Sequence, residues 1–250
     1  MEADGVGPVR AAAEASLAHL PVDICAQPWN GRRKRLLIAD MDSTIIGCEC
    51  IDELADFAGV KEQVSAITER AMQGELDFEA ALRERVAMLK GLPLSALQRA
   101  YDERVRLNPG ARTLVRTMAT HGARCALVSG GFTFFTSRVA QAAGFHLDRA
   151  NILHDDGHGL TGTVGEPILG REAKLASLKD LSQAEGIELL ETLAVGDGAN
   201  DLGMIEAAGL GVAYRAKPIV AAQADAKVDH ASLTALLYFQ GYRADEFVTD

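Results

Sequence analysis

Leu36-Leu37-Ile38-Ala39, followed at once by Asp40-Met41-Asp42-Ser43-Thr44, constrains this chain more than any other stretch. Four apolar residues form a short, fully buried strand. Carboxylates at the edge of a core are costly unless something holds them ionised, and a divalent cation does so with hard oxygen ligands. In open α/β sheets, ligands gather at the carboxyl ends of the strands, where this pair would sit. A bare Asp-x-Asp is also an ordinary acidic turn, so the reading depends on what the other strand ends carry.

Helical periodicity takes over from Ile51. Ile51, Leu54, Ala55 and Ala58 recur at i, i+3, i+4 and i+7 with Gly59 as a stop. Helical patterning continues over 61–73, 78–90 and 94–105, until Asn108-Pro109-Gly110 breaks it. Residues 51–107 therefore separate the first strand from the next by far more than a usual strand–helix connection, and they read as an inserted helical cap. Phe78, Leu82, Arg85 and Leu89 share one helix face. An arginine there either snorkels outward or reaches a buried anion.

After Pro109, strands and helices alternate. Ala111, Leu114, Val115 and Met118 form a helix face that ends at His121-Gly122, and strand 125–128 runs into Ser129-Gly130-Gly131. The pattern predicts a helix from Phe132 to Ala143, a hairpin of 151–154 with 160–164, a helix over 172–184 and a strand over 193–195. A helix to Ala208 capped by Gly209, strand 210–213, a helix opening at Pro218 and a last one capped by Ser232 complete the chain. Such repeats predict an α/β fold with a parallel sheet covered on both faces. Residues 34–50 and 108–250 are assigned to the core, 51–107 to the cap and 1–33 to an N-terminal extension. Within the extension, Val9, Ala12, Ser16, Leu17 and Leu20 are spaced to form one helix before Pro21, and the segment is either a remnant or a docking segment. The basic run Arg32-Arg33-Lys34-Arg35 reads as a solvated strand entry.

Three further strand or helix starts carry chemistry. Ser129-Gly130-Gly131 combines a hydroxyl, free backbone amides and a helix start, the parts of an anion cradle, although the same residues also make ordinary turns. Lys174 near a helix start opposes the helix dipole, which suggests an anion beside it. Gly196-Asp197-Gly198-Ala199-Asn200-Asp201 places two carboxylates in a tight turn directly after a buried strand.

The balance of 35 acidic and 25 basic residues gives a net charge of −10, which argues against a nucleic-acid or anionic-membrane surface. An anionic substrate must then be drawn by local cations. Cys25, Cys48, Cys50 and Cys125 show neither a C-x-x-C pair nor zinc spacing. With no secretory leader and no long apolar run, reduced thiols in the cytoplasm are expected. A homodimer is compatible with this composition.

Taken in order, hydrophobic-Asp-x-Asp-Ser-Thr, the Ser-Gly turn, the helix-start Lys and Gly-Asp-Gly-x-Asn-Asp resemble the motifs of the haloacid dehalogenase superfamily of phosphotransferases, from about Leu36 to the C-terminus. The resemblance implies a Rossmann-like core with an inserted cap and magnesium as cofactor. It makes Asp40 a nucleophile toward phosphorus and Asp42 the acid/base. Magnesium would sit on Asp40, the Asp42 backbone carbonyl and Asp197, with Asp201 in support. Ser129, Gly130 and Lys174 would hold phosphate, aided by Asn200. The chemistry suits the residues, since a carboxylate with a reference pKa of about 4 needs no base to activate it. Asp42 must then be more easily protonated than Asp40.

More narrowly, Asp42-Ser-Thr-x4-Glu49-x-Ile-Asp-Glu-Leu-Ala and Ala71-Met-x-Gly-x-Leu-x-Phe-x-x-Ala-Leu-x-x-Arg-Val resemble the phosphoserine phosphatase family. That likeness implies a small-molecule substrate, O-phosphoserine, hydrolysed to serine and phosphate in the last step of serine biosynthesis. Glu49 would meet its ammonium, Arg85 its carboxylate, and Met72 with Phe78 would shield the site. A small zwitterion needs one fixed charge of each sign, and arginine offers a planar fork for carboxylate. Gly47 departs from the pattern and should loosen the loop carrying Glu49. Phosphothreonine, phosphohomoserine and a phosphoamine are rival substrates. A phosphoacceptor signalling module is a rival of another class, disfavoured by the paired Asp42 and the long cap.

Overall fold

A computed structural model describes residues 5–249. Among them, β1 (Leu36–Ala39), β2 (Arg124–Phe132), β3 (Leu147–Asn151), β6 (Thr192–Gly196), β7 (Leu210–Tyr214) and β8 (Ala226–Val228) form one sheet. Its order is β3-β2-β1-β6-β7-β8, and every pairing is parallel. β4 (Leu153–Asp155) and β5 (Leu160–Val164) form a separate antiparallel hairpin.

β1 is buried at all four positions because it is central and covered on both faces. Successive side chains alternate sides. Leu37 and Ala39 join Cys125, Leu127, Leu193 and Val195 in one apolar cluster, while Leu36 and Ile38 join Ala126, Val128 and Ala194 in another. The first cluster packs against α6 (Ala111–Thr120) and α7 (Thr133–Ala143), the second against α8 (Arg171–Glu185) and α9 (Leu202–Ala207). Ala39 pairs in register with Leu127 and with Val195, and the Asp40 amide donates to the Val195 carbonyl at 3.0 Å. The ends of β1, β2 and β6 are thereby brought side by side, and the first carboxylate is fixed to the sheet.

Between β1 and α6 lie α2 (Cys50–Ala58), α3 (Lys61–Met72), α4 (Phe78–Met88) and α5 (Leu94–Arg104). Gly59 ends α2 in the left-handed conformation, and the Asp77 side chain caps α4 by accepting from the Ala80 amide at 2.8 Å. The stem of this insertion is clasped where the chain leaves and returns. Ile46 bridges Leu107, and the Asn108 side-chain amide donates to the Thr44 and Ile46 carbonyls at 2.8 and 3.0 Å. The Gly47 amide donates to the Arg106 carbonyl at 3.2 Å. The loop expected to be loosened by Gly47 is thus tied on both sides. Gly110 turns the returning chain into α6 with φ 83°, and a Cβ there would lie 2.7 Å from the Thr234 nitrogen.

Several local expectations differ from the fold. β3 has no counterpart in the sequence reading because Leu-Asp-Arg-Ala-Asn is a polar, half-buried edge. Asn151 belongs to β3, and the hairpin starts at Leu153. Phe132 stays in β2, paired with Asn151 across a register shift, so α7 opens one residue later than expected. Gly209 is not a helix cap. α9 ends at Ala207 with Ala208 extended, and Gly209 is required because any Cβ would collide with the Leu190 backbone. The last helix, α11 (Ala235–Phe239), starts after Thr234 rather than at Ser232, whose hydroxyl lies 2.7 Å from that of Thr234.

The basic run is not simply solvated. Lys34 is buried and donates to the Leu190 carbonyl, Arg33 pairs with Glu246, Arg35 with Glu191, and Arg32 stacks 3.5 Å above Trp29. These contacts fasten the entry of β1 to neighbouring segments. The N-terminal helix α1 (Val6–Leu17) buries no side chain and is held through Arg10, which donates to the Ala224 and Asp225 carbonyls. No helix of the described residues is long and apolar enough to cross a membrane. All four cysteines are free.

Candidate active site

The ends of β1, β2 and β6 converge on one pocket with an empty volume of about 390 Å³, the size of a site for a small ligand. Asp40, Asp42 and Glu49 line it from the β1 side, Ser129 and Gly130 from β2, Asn200 from the turn after β6. Met72, Phe78 and Arg85 close it from α3 and α4. Nine residues singled out in the sequence therefore meet in one cavity. Lys174 and Asp197 lie immediately behind it. Lys174 Nζ, fully buried, is 2.6 Å from Asp40 Oδ1 and 2.6 Å from Asp201 Oδ1.

Carboxylate oxygens of Asp40, Asp197 and Asp201 all fall within 4.8 Å of one another. Three buried acids face a single lysine, an excess of negative charge in a desolvated place. Asp201 also accepts from the Asp197 and Gly198 amides at 3.1 and 3.2 Å, and Thr44 donates to Asp197 at 3.2 Å. This hard, over-supplied oxygen set fits a divalent cation. Asp201, assigned only a supporting place from the sequence, is an integral member of the carboxylate cluster. The Asp42 side chain points elsewhere, accepting from the Cys50 amide at 3.0 Å within the pocket wall.

Ser129, Gly130 and Gly131 lie within β2, where its register with β3 shifts, rather than in a turn opening a helix as the sequence suggested. Ser129 is buried and its Oγ accepts from the Gly131 amide at 2.9 Å. A Cβ on Gly130 would sit 2.6 Å from the Phe78 ring, and one on Gly131 would sit 2.6 Å from Asp42 Oδ2, so neither position has room for a side chain. Asn200 Oδ1 is buried without a hydrogen-bond partner beside the pocket, an acceptor left over for a ligand.

A family model of haloacid dehalogenase-like hydrolases matches residues 37–206. A phosphoserine phosphatase of Streptococcus thermophilus is 47% identical over 200 residues, covering 80% of this chain and 93% of that protein. The phosphoserine phosphatase of Archaeoglobus fulgidus is 44% identical over 219 residues, covering 87% of this chain and 63% of its own. A solved structure described as a phospho-aspartyl intermediate analogue of phosphoserine phosphatase superposes with a TM-score of 0.79 at 40% identity, covering 83% of this chain and 99% of the other. The chain belongs to the phosphoserine phosphatase family of haloacid dehalogenase-like hydrolases. It spans 58–63% of the length of three of its curated relatives.

Within this family member the site's electrostatics are set by burial. Burial and the neighbouring Asp201 push the Asp40 carboxyl up to about 7 against the pull of Lys174. Asp42 is pushed well above the usual carboxylate range by burial and then by Glu49 and Asp40. Asp197 is raised in the same way, by burial, Glu49 and Asp40. Burial alone would lower Lys174, yet Asp201 and Asp40 hold it above its ordinary value. Among the described residues no cation bonds the Asp42 oxygens, which separates it from Asp40 in the direction acid/base work needs.

Asp40 binds its proton more tightly folded, at about 7, than at its ordinary 3.8. Between those values the folded state holds more protons, so stability should fall as pH rises through the window. In chelator the melting temperature should drop by about 5 °C between pH 5 and 7.5, and excess magnesium should reverse the drop. Differential scanning calorimetry checks this, and a rising melting temperature over that range would contradict it.

Sequence reasoning missed Ser43 and Thr68. Ser43 adopts φ 54° and donates to Glu49 Oε1 at 2.6 Å, and Thr68 accepts from Arg85 at 3.0 Å. The first follows the paired acids so closely that its hydroxyl read as part of the motif. The second sits on a mostly polar helix with no local signal of its burial.

Proposed function

We propose that this protein hydrolyses O-phospho-L-serine to L-serine and phosphate through an aspartyl-phosphate on Asp40. The observation that carries the reading is the pocket's lining, which brings Asp40 and the Ser129-Gly130 cradle together with two opposite charges, Glu49 and Arg85. Phosphoserine carries the complementary set: a phosphate, an ammonium and a carboxylate. Residues 51–107 act as a cap, since α3 and α4 supply Met72, Phe78 and Arg85. Closure over bound substrate would exclude bulk water while the intermediate forms. Free cysteines are in keeping with a reducing cytoplasm.

Asp40 attacks phosphorus while Asp42, protonated at the outset, gives its proton to the departing serine oxygen. Asp42 then takes a proton from the water that cleaves the acyl phosphate. Lys174 holds Asp40 in place and carries positive charge toward the transferred group, and the cradle amides receive its oxygens. Asp40, the Asp42 carbonyl and Asp197, supported by Asp201, would hold magnesium, which when bound offsets charge on the phosphoryl oxygens. Met72 and Phe78 provide an apolar rim. Asn200 offers its unpaired oxygen to the substrate.

Arg85 is 2% exposed, so it does not snorkel, and burial lowers its pKa against the pull of Glu49. Its fork is reserved for a buried anion. Steady-state phosphate release with magnesium, across phosphoserine, phosphothreonine and phosphoethanolamine, tests the reading. Phosphoserine should be preferred. Arg85→Lys should raise KM for phosphoserine roughly 10²-fold while leaving phosphoethanolamine, which lacks the carboxylate, nearly unchanged. A wild-type preference for phosphoethanolamine would remove the role of Arg85.

A further inference from the structure

Arg85 is a buried cation with no carboxylate within ion-pair distance among the described residues, even though Glu49 lines the same pocket. Its Nε donates to the Ala81 carbonyl at 3.1 Å and its Nη1 to Thr68 Oγ1 at 3.0 Å. Nη2 has no partner among the described residues, and the side chain borders the pocket. The guanidinium is thus held through Nε and Nη1, and Nη2 is left for a ligand.

The grip has a direction. A threonine hydroxyl has one proton and two lone pairs. Accepting from Arg85, it must send its proton elsewhere, and two acceptors stand ready: Asp52 Oδ1 at 2.7 Å and the Val64 carbonyl at 3.0 Å. Asp52 is nearer and charged, so it takes the stronger bond. Its other oxygen accepts from Ser65 Oγ at 2.7 Å. A continuous relay therefore runs from Ser65 through Asp52 and Thr68 to Arg85, joining α2, α3 and α4. Glu49, in the same pocket, accepts from Ser43 Oγ at 2.6 Å. Glu49 and Arg85 are thus each engaged by a neutral hydroxyl rather than by one another.

We infer that Thr68, oriented by Asp52, is a positioning residue that sets specificity: it holds Arg85 by Nη1 so that Nη2 faces the ligand's carboxylate rather than Glu49. The inference rests on the proposed reading of Arg85 as the carboxylate receptor. Without the hydroxyl, Arg85 swings toward Glu49, and a substrate bearing a carboxylate must break that pair before it binds. A substrate without a carboxylate loses nothing through Nη2.

The test compares wild type, Thr68→Val and Thr68→Ser, with magnesium, on phosphoserine and phosphoethanolamine. Thr68→Val should raise KM for phosphoserine about 10-fold, the loss of one hydrogen bond to a charged group. Its kcat should change less than about two-fold, and KM for phosphoethanolamine should stay put. Thr68→Ser should restore the wild-type ratio. An unchanged KM for phosphoserine, or an equal rise for both substrates, overturns the inference. Should Thr68→Val fail to fold, Thr68→Ala favours the helix and must show the same selective loss, or the inference falls. If wild type itself does not prefer phosphoserine, the carboxylate reading fails first and takes the inference with it. If wild type prefers phosphoserine but the Thr68 variants do not shift that preference, the inference alone fails.

Discussion

Asp40→Asn should abolish turnover, by about 10⁴-fold or more, and yet fold at least as stably as wild type when metal is absent. The first half follows from the pocket. An amide cannot accept a phosphoryl group to form an acyl phosphate, and the other carboxylates are committed elsewhere: Asp42 to the Cys50 amide, Asp201 to Lys174 and two backbone amides. The second half separates this account from a merely structural role. Asp40 is one of three acids sharing one lysine, and its carboxyl is pushed up to about 7 by burial and Asp201. Replacing it with a neutral isostere removes one excess charge while leaving Lys174 bonded to Asp201. Calorimetry in chelator at pH 7.5 and phosphate release with magnesium read the two halves. Retained activity would remove the nucleophile, and a large loss of stability would mean that Asp40 is held for folding.

Lys174→Met should be destructive in both respects. The ammonium is fully buried between Asp40 and Asp201 at 2.6 Å each, and its removal leaves three crowded carboxylates with no cation. Breaking a buried pair from one side costs about 3–5 kcal/mol. Charge compensation at the transferred group is also lost, so turnover should fall about 10³-fold or more even with magnesium saturating. Protonation of the stranded acids offsets part of the stability loss at low pH, so the variant should lose less stability at pH 5 than at pH 8. Denaturant titrations at both pH values check this. Equal losses would mean that the carboxylates do not depend on the lysine.

Much of this was legible because the chemistry is local in sequence. Asp40, Ser129 and Asp197 each follow a run of buried apolar residues, and parallel pairing in register is enough to bring such strand ends together. The four helices between β1 and α6 were readable from their apolar period and from stops such as Gly59 and Asn108. What escaped was tertiary. β3 is a polar edge strand with no alternation to betray it, and Gly209 looks like a helix stop while serving close approach to Leu190. Arg85 left two readings open on sequence, because only packing decides whether a long side chain on an apolar stripe leaves the core. Thr68 and Asp52 belong to different helices, and nothing in their spacing announces that one hydroxyl aims an arginine.

The proposed mechanism requires the side chain at position 40 to carry the phosphoryl group. The most direct measurement is rapid acid quenching of the enzyme turning over radiolabelled phosphoserine with magnesium, followed by peptide mapping. An acid-stable, base-labile label should appear on the peptide containing Asp40 and be absent from Asp40→Asn. Label on any other residue, or steady turnover with no trapped label at all, would contradict the mechanism.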